Sequence, residues 1–315
     1  MKIIYIYFVC LLALLSACKT TEQKPPVPDK PDKPVNIPQD FSCQSTSKGV
    51  QILPSRRMAL VIGNDNYRTA PLNNPGNDAD DMATALEQVN FEVTKRKNLS
   101  LDEMGCVIKE FGRRLSNSGG VGLFYFSGHG MQYSRKNYLL PIGATSSVHV
   151  PNDLPNNTVN LDYVLNTMKM ARNDLNIIIL DACRDSPLLK TKGLKVEGLS
   201  EVSTTMGSSL IAYATEPNDV ALDGKGRNSP YVKHLKRELV KPNVRIEEMF
   251  RLVRVAVKKE TGGKQIPRLE QVALDHPFCF NGCEQIQQPI MKLVERDTYN
   301  IPAYLQDYFA TESKQ

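Results

Sequence analysis

The hydrophobic residues of this chain follow two alternating patterns between residues 56 and 280. Short apolar runs, typical of buried parallel strands, recur at 58–62, 91–94, 121–126, 138–140, 176–180 and 209–214. Between them, apolar residues spaced three or four apart predict amphipathic helices at 79–89, 101–115, 161–168, 229–240 and 245–259. Strands that alternate with helices predict an α/β fold, in which a mostly parallel sheet is covered by helices on both faces.

The first 50 residues do not share this pattern. Residues 1–17 carry Lys2 and then an apolar stretch too short for a comfortable transmembrane helix, which predicts a cleaved export signal. Six prolines with interspersed charges follow in residues 19–40, so we interpret residues 18–50 as a semi-rigid tether. The folded domain is assigned to residues 51–283, and residues 284–315 are interpreted as a peripheral tail.

The end of the export signal is informative about location. The motif Leu15-Ser16-Ala17-Cys18 resembles the lipobox of bacterial lipoproteins, in which the cysteine is lipidated and becomes the first residue of the mature protein. The resemblance implies a lipid on Cys18 and an anchor in the bacterial envelope. Lys19, in place of Asp, implies the outer membrane by similarity to the sorting pattern of Gram-negative lipoproteins. The alternative is an ordinary signal peptide cleaved near Ala17.

Composition and charge argue against a nucleic-acid partner. The chain has 315 residues, of which 41% are hydrophobic and 23% charged, as in soluble globular proteins. The formal net charge is only +5, and clusters such as Lys233, Lys236 and Arg237 alternate with acids, which is typical of a solvated helix face. Because neither a nucleic-acid module nor a basic stripe is visible, we expect no nucleic-acid partner.

Two potentially reactive residues come after two of the predicted core strands. Ser-Gly-His129-Gly130 follows the run at 121–126, and Asp181-Ala-Cys183 follows the run at 176–180. Because functional side chains gather beyond the carboxyl ends of parallel strands, we expect His129 and Cys183 at one rim of the sheet. A neighbouring imidazole lowers the pKa of a cysteine thiol, so the pair suits a nucleophile and its base. The alternative is a buried cysteine and a structural histidine.

Several motifs surround these two residues in a fixed order. They are Arg57-Met-Ala-Leu-Val-Ile-Gly-Asn64 with Tyr67, Pro71-Leu72 with Asn77-Asp78-Ala79, Phe124-Tyr-Phe-Ser-Gly-His-Gly130, Asn137-Tyr-Leu-Leu-Pro141, Ile178-Ile-Leu-Asp-Ala-Cys-Arg184 and Ala212-Tyr-Ala-Thr215. As an ordered set they resemble the caspase-like cysteine peptidases, within them the bacterial metacaspase and paracaspase branch. The resemblance implies the caspase-hemoglobinase fold and hydrolysis of peptide bonds.

The resemblance also implies roles for individual residues. Cys183 is expected to attack the scissile carbonyl, while His129 keeps the thiol deprotonated or protonates the departing amine. The backbone N–H groups of Cys183 and Gly130 are expected to hold the oxyanion. No third catalytic residue is apparent, so the sequence predicts a dyad.

Three acids match pocket positions of the metacaspase and paracaspase branch. Caspases that cut after Asp carry Gln two residues before the nucleophile, whereas this chain has Asp181 there. Asp78 matches a second acidic position, and Asp223 matches a third through a loop. An acidic, partly desolvated pocket favours Arg or Lys in the substrate. The open alternatives are helix capping for Asp78 and a strand-end hydrogen bond for Asp181.

The segment at 186–208 is a long linker between two core strands. In caspases the equivalent linker is cut during activation, and an enzyme of basic specificity could cut itself here after Lys190, Lys192 or Lys195. The alternative is an active single chain, as in several metacaspases.

No cofactor or metal is expected. Ca²⁺ activates some metacaspases, and Asp78, Asp80 and Asp81 form an acidic cluster, but their spacing matches no calcium-binding loop.

The remaining cysteines predict one disulfide. Cys43, Cys279 and Cys283 flank the predicted domain at its two ends, and disulfides persist in exported proteins. One bridge is expected among these three, with Cys43–Cys283 as the predicted pair. A zinc site at 279–283 would lack partner ligands nearby. Cys106 lies in a predicted helix and is expected to be a small buried hydrophobic residue.

These features together predict a lipid-anchored cysteine endopeptidase of the bacterial envelope that cuts polypeptides after Arg or Lys. The alternative is an inactive caspase-like fold that serves as a binding module at the envelope. The presence of His129, Cys183 and Asp181 together argues against that alternative.

Overall fold

The computed structural model describes residues 41, 43, 57–134, 136–183, 208–216, 221–271, 274 and 276–283. The predicted signal peptide at 1–17, the lipidation site Cys18 and nearly all of the tether lie outside the described residues. So do the linker lysines Lys190, Lys192 and Lys195 and the tail at 284–315.

The strands are β1 (Arg57–Gly63), β2 (Glu92–Lys97), β3 (Val121–Tyr133), β4 (Lys136–Leu139), β5 (Val159–Asn160), β6 (Leu175–Cys183), β7 (Ser209–Tyr213) and β8 (Arg268–Gln271). The helices are α1 (Pro75–Gln88), α2 (Leu101–Ser118), α3 (Ala144–Ser147), α4 (Leu154–Asn157), α5 (Leu161–Met170), α6 (Pro230–Leu239) and α7 (Ile246–Glu260), with a 3₁₀ turn at Pro151–Asp153. Among the helices in these ranges, none has the length and hydropathy needed to cross a membrane.

The strands form a mostly parallel sheet, as predicted. Its order is β2-β1-β3-β6-β7-β8, in which β8 runs antiparallel to β7 and the other neighbours are parallel. The far end of β3 pairs with β4 in the antiparallel sense, and β4 in turn pairs with β5. The predicted α/β class is therefore confirmed.

Two hydrophobic cores lie on opposite faces of the sheet. Helices α1, α6 and α7 pack on one face, and α2 and α5 pack on the other. Strand β6 serves both cores, because side chains alternate along a strand: Ile177 and Ile179 enter the first core, and Ile178 and Leu180 enter the second. Helices cover both faces, as the hydrophobic pattern predicted.

Helix α6 begins at a well-defined cap that matters for the site. The Ser229 hydroxyl accepts a hydrogen bond from the Val232 N–H at 3.0 Å, and Pro230 occupies the first helical position. Proline suits that position because its missing N–H would have no partner inside the helix. Ser229 is therefore fixed at the start of a buried helix.

Strand β3 is longer than its apolar run predicted. The pattern predicted an end near residue 126, whereas the strand continues to Tyr133. Parallel pairing with β6 extends through Ser127–Asp181 to His129–Cys183, and pairing with β4 begins at Gly130. The two candidate catalytic residues thus lie within paired strands, rather than in loops beyond them.

The predicted disulfide between Cys43 and Cys283 is wrong. Within the described residues, Cys43 pairs with Cys106 across a Cα–Cα distance of 5.5 Å. Cys279 pairs with Cys283 across 5.2 Å. The prediction that Cys106 is an unbonded buried hydrophobic residue is therefore wrong as well.

Packing at α2 explains the observed partner of Cys43. Phe41 is buried against Gly105, where an added Cβ would lie 2.2 Å from the ring, and its ring centroid is 5.5 Å from that of Tyr163. This contact places Cys43 beside Cys106, the residue that follows Gly105 in α2. Because the bridge closes a separation of 63 residues, chain entropy alone would give it about 4 kcal/mol of stabilisation.

Candidate active site

The candidate base and nucleophile lie at matching positions of two neighbouring strands. His129 of β3 and Cys183, the last residue of β6, are register partners in the parallel ladder. The structure describes the backbone of Cys183 and not its side chain. Gly130 follows His129 in β3 and lies opposite Leu139 of β4. The three residues predicted to carry the chemistry are therefore adjacent.

The imidazole of His129 is held by a backbone carbonyl. Its Nε2 lies 2.7 Å from the carbonyl oxygen of Ala70, and the histidine is 4% exposed. A carbonyl oxygen only accepts hydrogen bonds, so Nε2 carries a proton and Nδ1 is the basic nitrogen of the neutral ring. Nδ1 is buried and has no hydrogen-bond partner among the residues that the structure describes. The Ala70 carbonyl orients the ring, a role for which the sequence suggested no residue.

Burial favours the neutral form of this base. It lowers the pKa of His129, while the Ala70 carbonyl and the charge of Asp223 act in the opposite direction. A neutral imidazole with a free Nδ1 is the form that accepts a proton from a thiol.

Tyr67 fixes the backbone at the histidine. Its hydroxyl accepts a hydrogen bond from the His129 N–H at 3.0 Å and donates to the Leu140 carbonyl at 2.9 Å. The Tyr67 and His129 ring centroids are 4.4 Å apart. At Gly128, where φ is +154°, an added Cβ would lie 2.6 Å from the Tyr67 hydroxyl oxygen. Glycine is needed here because a larger residue would displace the tyrosine.

The predicted acids Asp78 and Asp181 come together beneath the start of α6. Asp78, in α1, accepts hydrogen bonds from the Asn228 side-chain amide at 3.0 Å and from the Ser229 N–H at 3.1 Å. Asp181 accepts a 2.6 Å hydrogen bond from the Ser229 hydroxyl. Ser229 therefore links both carboxylates. Asp78 lies in the first turn of α1, as the helix-terminus alternative predicted, but the cap residue is Asn74. The partner of Asp181 is a side chain at the start of a distant helix and not nearby backbone.

Among the residues that the structure describes, neither of these buried carboxylates has a cationic partner. Asp78 is 1% exposed and Asp181 is 5% exposed. Within the described part of the chain, neither forms a salt bridge. The neighbouring acids of α1 differ, because Asp80 pairs with two lysines of β2 and Asp81 pairs with Arg227 and a lysine of α6.

The environment of the two acids favours their protonated forms. Desolvation is the main cause of the raised pKa of each, and the Asp181 charge raises the pKa of Asp78 further. Hydrogen bonds from Asn228 and Ser229 act in the opposite direction, while the Asp223 charge raises both pKa values. Two carboxyl groups so placed resist ionising together unless a cation joins them.

The third predicted acid has a different set of contacts. The Asp223 carboxylate accepts hydrogen bonds from the N–H groups of Asn73 at 2.7 Å and Asn74 at 3.1 Å, at the start of α1. Its charge reaches both Asp78 and Asp181, as their pKa shifts show. Asp223 thus borders the acidic pair without sharing its hydrogen bonds.

Within the described ranges, no metal site accompanies these acids. Among the described residues, no three His, Cys, Asp or Glu side chains are grouped so that they could hold a metal ion. Asp78, Asp80 and Asp81 point to different partners, although they are close in sequence.

The family model of the caspase domain matches residues 56–279, well over half of the chain. The chain belongs to the caspase domain family. Its homologues are cysteine peptidases, and the motifs that carried the resemblance fall within the matched range.

Individual relatives are similar over parts of this caspase domain. Mucosa-associated lymphoid tissue lymphoma translocation protein 1 of Homo sapiens is 32% identical over 135 residues, which cover 42% of this chain and 16% of that protein. Caspase-1 of Sus scrofa is 26% identical over 247 residues, covering 70% and 58%. The chain thus matches less than two thirds of the length of either relative.

A solved structure shares the fold. The Drosophila initiator caspase Dronc superimposes with a TM-score of 0.54 at 12% identity, covering 72% of this chain and 84% of that one. At this identity the similarity concerns the fold alone, and it agrees with the sheet and helix arrangement of this caspase domain.

Sequence reasoning missed Ala70, Asn228 and Ser229. Ala70 contributes a backbone carbonyl, which no residue type reveals. Ser229 before Pro230 predicted a helix start but gave no sign of contact with distant acids. Asn228 is oriented by Lys236, whose Nζ donates to the amide oxygen at 2.8 Å, so that the amide nitrogen faces Asp78.

The close approach at Gly128 predicts a local cost for any side chain. Gly128→Ala should lower the free energy of unfolding by about 1–3 kcal/mol, because of the positive φ and the contact with Tyr67. Gly143→Ala is the matched control, since an added Cβ meets nothing within 4 Å there and φ is −77°. Its effect should stay within about 0.5 kcal/mol in chemical denaturation. Equal effects of the two substitutions would contradict the tight contact.

The raised pKa of Asp78 predicts a pH-dependent stability. A carboxyl whose folded-state pKa lies above its unfolded value destabilises the fold increasingly as pH rises between the two. Asp78→Asn should therefore gain thermal stability relative to wild type from pH 5 to pH 8, by at most about 1.4 kcal/mol per pH unit. Thermal melts across this range measure the difference.

Asp81→Asn supplies a control of opposite sign. Burial opposes ionisation of Asp81, but hydrogen bonds from Arg227 and Lys236 outweigh it and lower the pKa. The stability from Asp81 is therefore present at neutral pH and lost as pH falls below the usual carboxyl range. A constant difference between Asp78→Asn and wild type across pH would show that Asp78 is not held protonated.

Proposed function

We propose that this chain is a cysteine endopeptidase that cleaves polypeptides after Arg or Lys, with Cys183 as nucleophile and His129 as base. The observation that carries the specificity is the buried pair Asp78 and Asp181, which has no cationic partner among the described residues. Asp181 lies two residues before Cys183, so the acids border the proposed reaction centre.

A basic substrate side chain would complete this acidic pair. A guanidinium or ammonium group supplies N–H donors and positive charge, which favour ionised carboxylates in a buried site. Hydrogen bonds from Ser229 and Asn228 hold Asp78 and Asp181 in place before substrate arrives. Such a pocket discriminates against an acidic side chain, because a third carboxylate would add another buried charge without a cation to balance it.

The proposed chemistry is acyl transfer. The Cys183 thiol gives its proton to Nδ1 of His129, and the thiolate attacks the scissile carbonyl carbon to form a C–S bond. N–H groups of Gly130 and Cys183 stabilise the oxyanion. As the C–N bond breaks, His129 returns the proton to the departing amine. Water then hydrolyses the thioester with His129 as base, and the thiol is restored.

We also propose that the enzyme is a lipoprotein of the bacterial envelope, anchored through Cys18. This part rests on the sequence alone: the apolar export signal, the motif ending in Cys18 and the proline-rich tether that follows. Metabolic labelling with a fatty-acid analogue, compared between wild type and Cys18→Ser, tests it, and equal label in both would refute it. Self-cleavage after a linker lysine and activation by Ca²⁺ have no support beyond the resemblance.

Peptide hydrolysis tests the proposed activity. Matched fluorogenic peptides with Arg, Lys or Asp before the scissile bond are offered under reducing conditions, with and without Ca²⁺. We expect turnover of the Arg and Lys peptides and none with Cys183→Ala. Asp78→Asn should lower kcat/KM for the Arg peptide by about 10²-fold, because one buried charge partner is lost. Asp80→Asn should leave it nearly unchanged, since Asp80 pairs with Lys95 and Lys97 of β2 instead.

Two outcomes contradict the proposal in different ways. Faster cleavage after Asp would refute the basic specificity while leaving the peptidase activity in place. No turnover of any peptide would instead favour a binding module at the envelope.

A further inference from the structure

Two loops that are distant in sequence meet at Asp223. The first, residues 64–74, joins β1 to α1, and the second, residues 221–229, leads into α6. The Asp223 carboxylate accepts hydrogen bonds from the N–H groups of Asn73 and Asn74, and the Asn74 side-chain amide donates to the Asp223 carbonyl. Three hydrogen bonds therefore join the loops, and all three are made by Asp223.

The first loop also holds the catalytic base. The Ala70 carbonyl, three residues before Asn73, lies 2.7 Å from Nε2 of His129. Ala70 has φ of +57°, a conformation that is unfavourable for alanine and unusual before a proline. Such a backbone persists only where its surroundings hold it. Asp223 supplies part of that support.

The other side of the loop is held separately. The Asp65 carboxylate accepts hydrogen bonds from the Gly76 N–H at 3.0 Å and the Asn98 side-chain amide at 2.9 Å. These contacts fix the start of the loop and of α1, but they do not reach the segment next to Ala70. On the α1 side of Ala70, the Leu72 N–H donates to the Asp65 carbonyl at 3.0 Å, and the Asp223 carboxylate holds the next two N–H groups, those of Asn73 and Asn74.

The second loop supplies the donors of the acidic pair. Asn228 and Ser229, five and six residues after Asp223, bind Asp78 and Asp181. The second loop therefore makes two sets of contacts. Asn228 and Ser229 bind the acids, and Asp223 binds the loop that holds His129.

We propose that Asp223 is a positioning residue, whose carboxylate holds the Ala70 loop so that His129 is oriented for catalysis, and which links the acidic pocket to that orientation. The proposal rests on the proposed peptidase function. It differs from the role that the resemblance implied, in which Asp223 contacts the basic substrate side chain directly. Both carboxylate oxygens of Asp223 already bind backbone N–H groups here.

Substitutions at Asp223 separate the two roles. Asp223→Ala removes both acceptors, Asp223→Asn keeps one, and Asp223→Glu keeps two on a longer side chain. Asp80→Asn is the matched control, because it removes a nearby acid of α1 whose contacts go to Lys95 and Lys97 of β2. Thermal melts confirm that each variant is folded before it is compared.

Two measurements are made on the full chain. The first is kcat and KM for an Arg peptide. The second needs no substrate: the rate of alkylation by iodoacetamide across pH, quantified by mass spectrometry on the peptide that contains Cys183. Thiolate formation at neutral pH depends on a correctly oriented imidazole, so alkylation reports on His129 directly.

We expect Asp223→Ala to lower kcat by about 10²-fold with a much smaller change in KM, as for a misoriented catalytic group. Alkylation of Cys183 near pH 7 should slow, and its midpoint should move to higher pH. Asp223→Glu should recover more of both than Asp223→Asn. Asp80→Asn should match wild type.

Other results overturn the proposal. A change confined to KM, with an unchanged alkylation profile, would make Asp223 a direct substrate ligand. Wild-type kinetics in Asp223→Ala would show that the loop needs no such support. If wild type cleaves no peptide, the proposed function fails, but the alkylation profiles still decide whether Asp223 positions His129.

Discussion

The register between β3 and β6 determines the geometry on which the candidate site depends. It sets His129 opposite Cys183 and Ser127 opposite Asp181. Because side chains alternate along a strand, a shift of one residue would turn the site residues of β6 to the other face of the sheet. The register is specified by the earlier residues of β6, where Ile177 and Ile179 enter one core and Ile178 enters the other. Core packing thus fixes the alignment of the reactive residues.

A second constraint is electrostatic. Asp78 and Asp181 are buried beside each other, and their hydrogen-bond donors at the start of α6 are neutral groups. The positive end of the α6 dipole reduces the cost of their charge but does not replace a cation. The pair therefore lowers stability in the empty site, and this is the arrangement expected of a pocket completed by a basic ligand. A cationic residue in place of Asn228 would reduce the electrostatic cost of the two carboxylates, but it would occupy the position that a basic ligand needs.

The sequence predicted the fold well because the cores produce strong periodicity. The resemblance also predicted that Asp78 and Asp181 contribute to one pocket, because an ordered set of motifs can be matched to a family position by position. The sequence could not show that β3 continues past residue 126, because Ser-Gly-His-Gly is neither apolar nor alternating. That continuation depends on pairing with β6 and β4, which are distant in sequence.

Backbone groups and long-range pairs were the other features that the sequence could not supply. The Ala70 carbonyl acts through the path of a loop, and any residue type offers the same oxygen. The partner of Cys43 depended on where Phe41 packs, at Gly105. The position of Cys106 in a predicted helix suggested a small buried residue, and burial is equally compatible with an unbonded cysteine and with one in a disulfide.

The claim that the buried carboxyl groups of Asp78 and Asp181 select a basic side chain has one direct test. Arginine and citrulline have nearly the same shape, but only arginine is charged. Wild-type kcat/KM should be at least about 10²-fold higher for a peptide with arginine before the scissile bond than for its citrulline analogue. In a variant with both Asp78→Asn and Asp181→Asn, that ratio should collapse towards one. Equal cleavage of the two peptides by wild type would contradict the electrostatic basis of specificity.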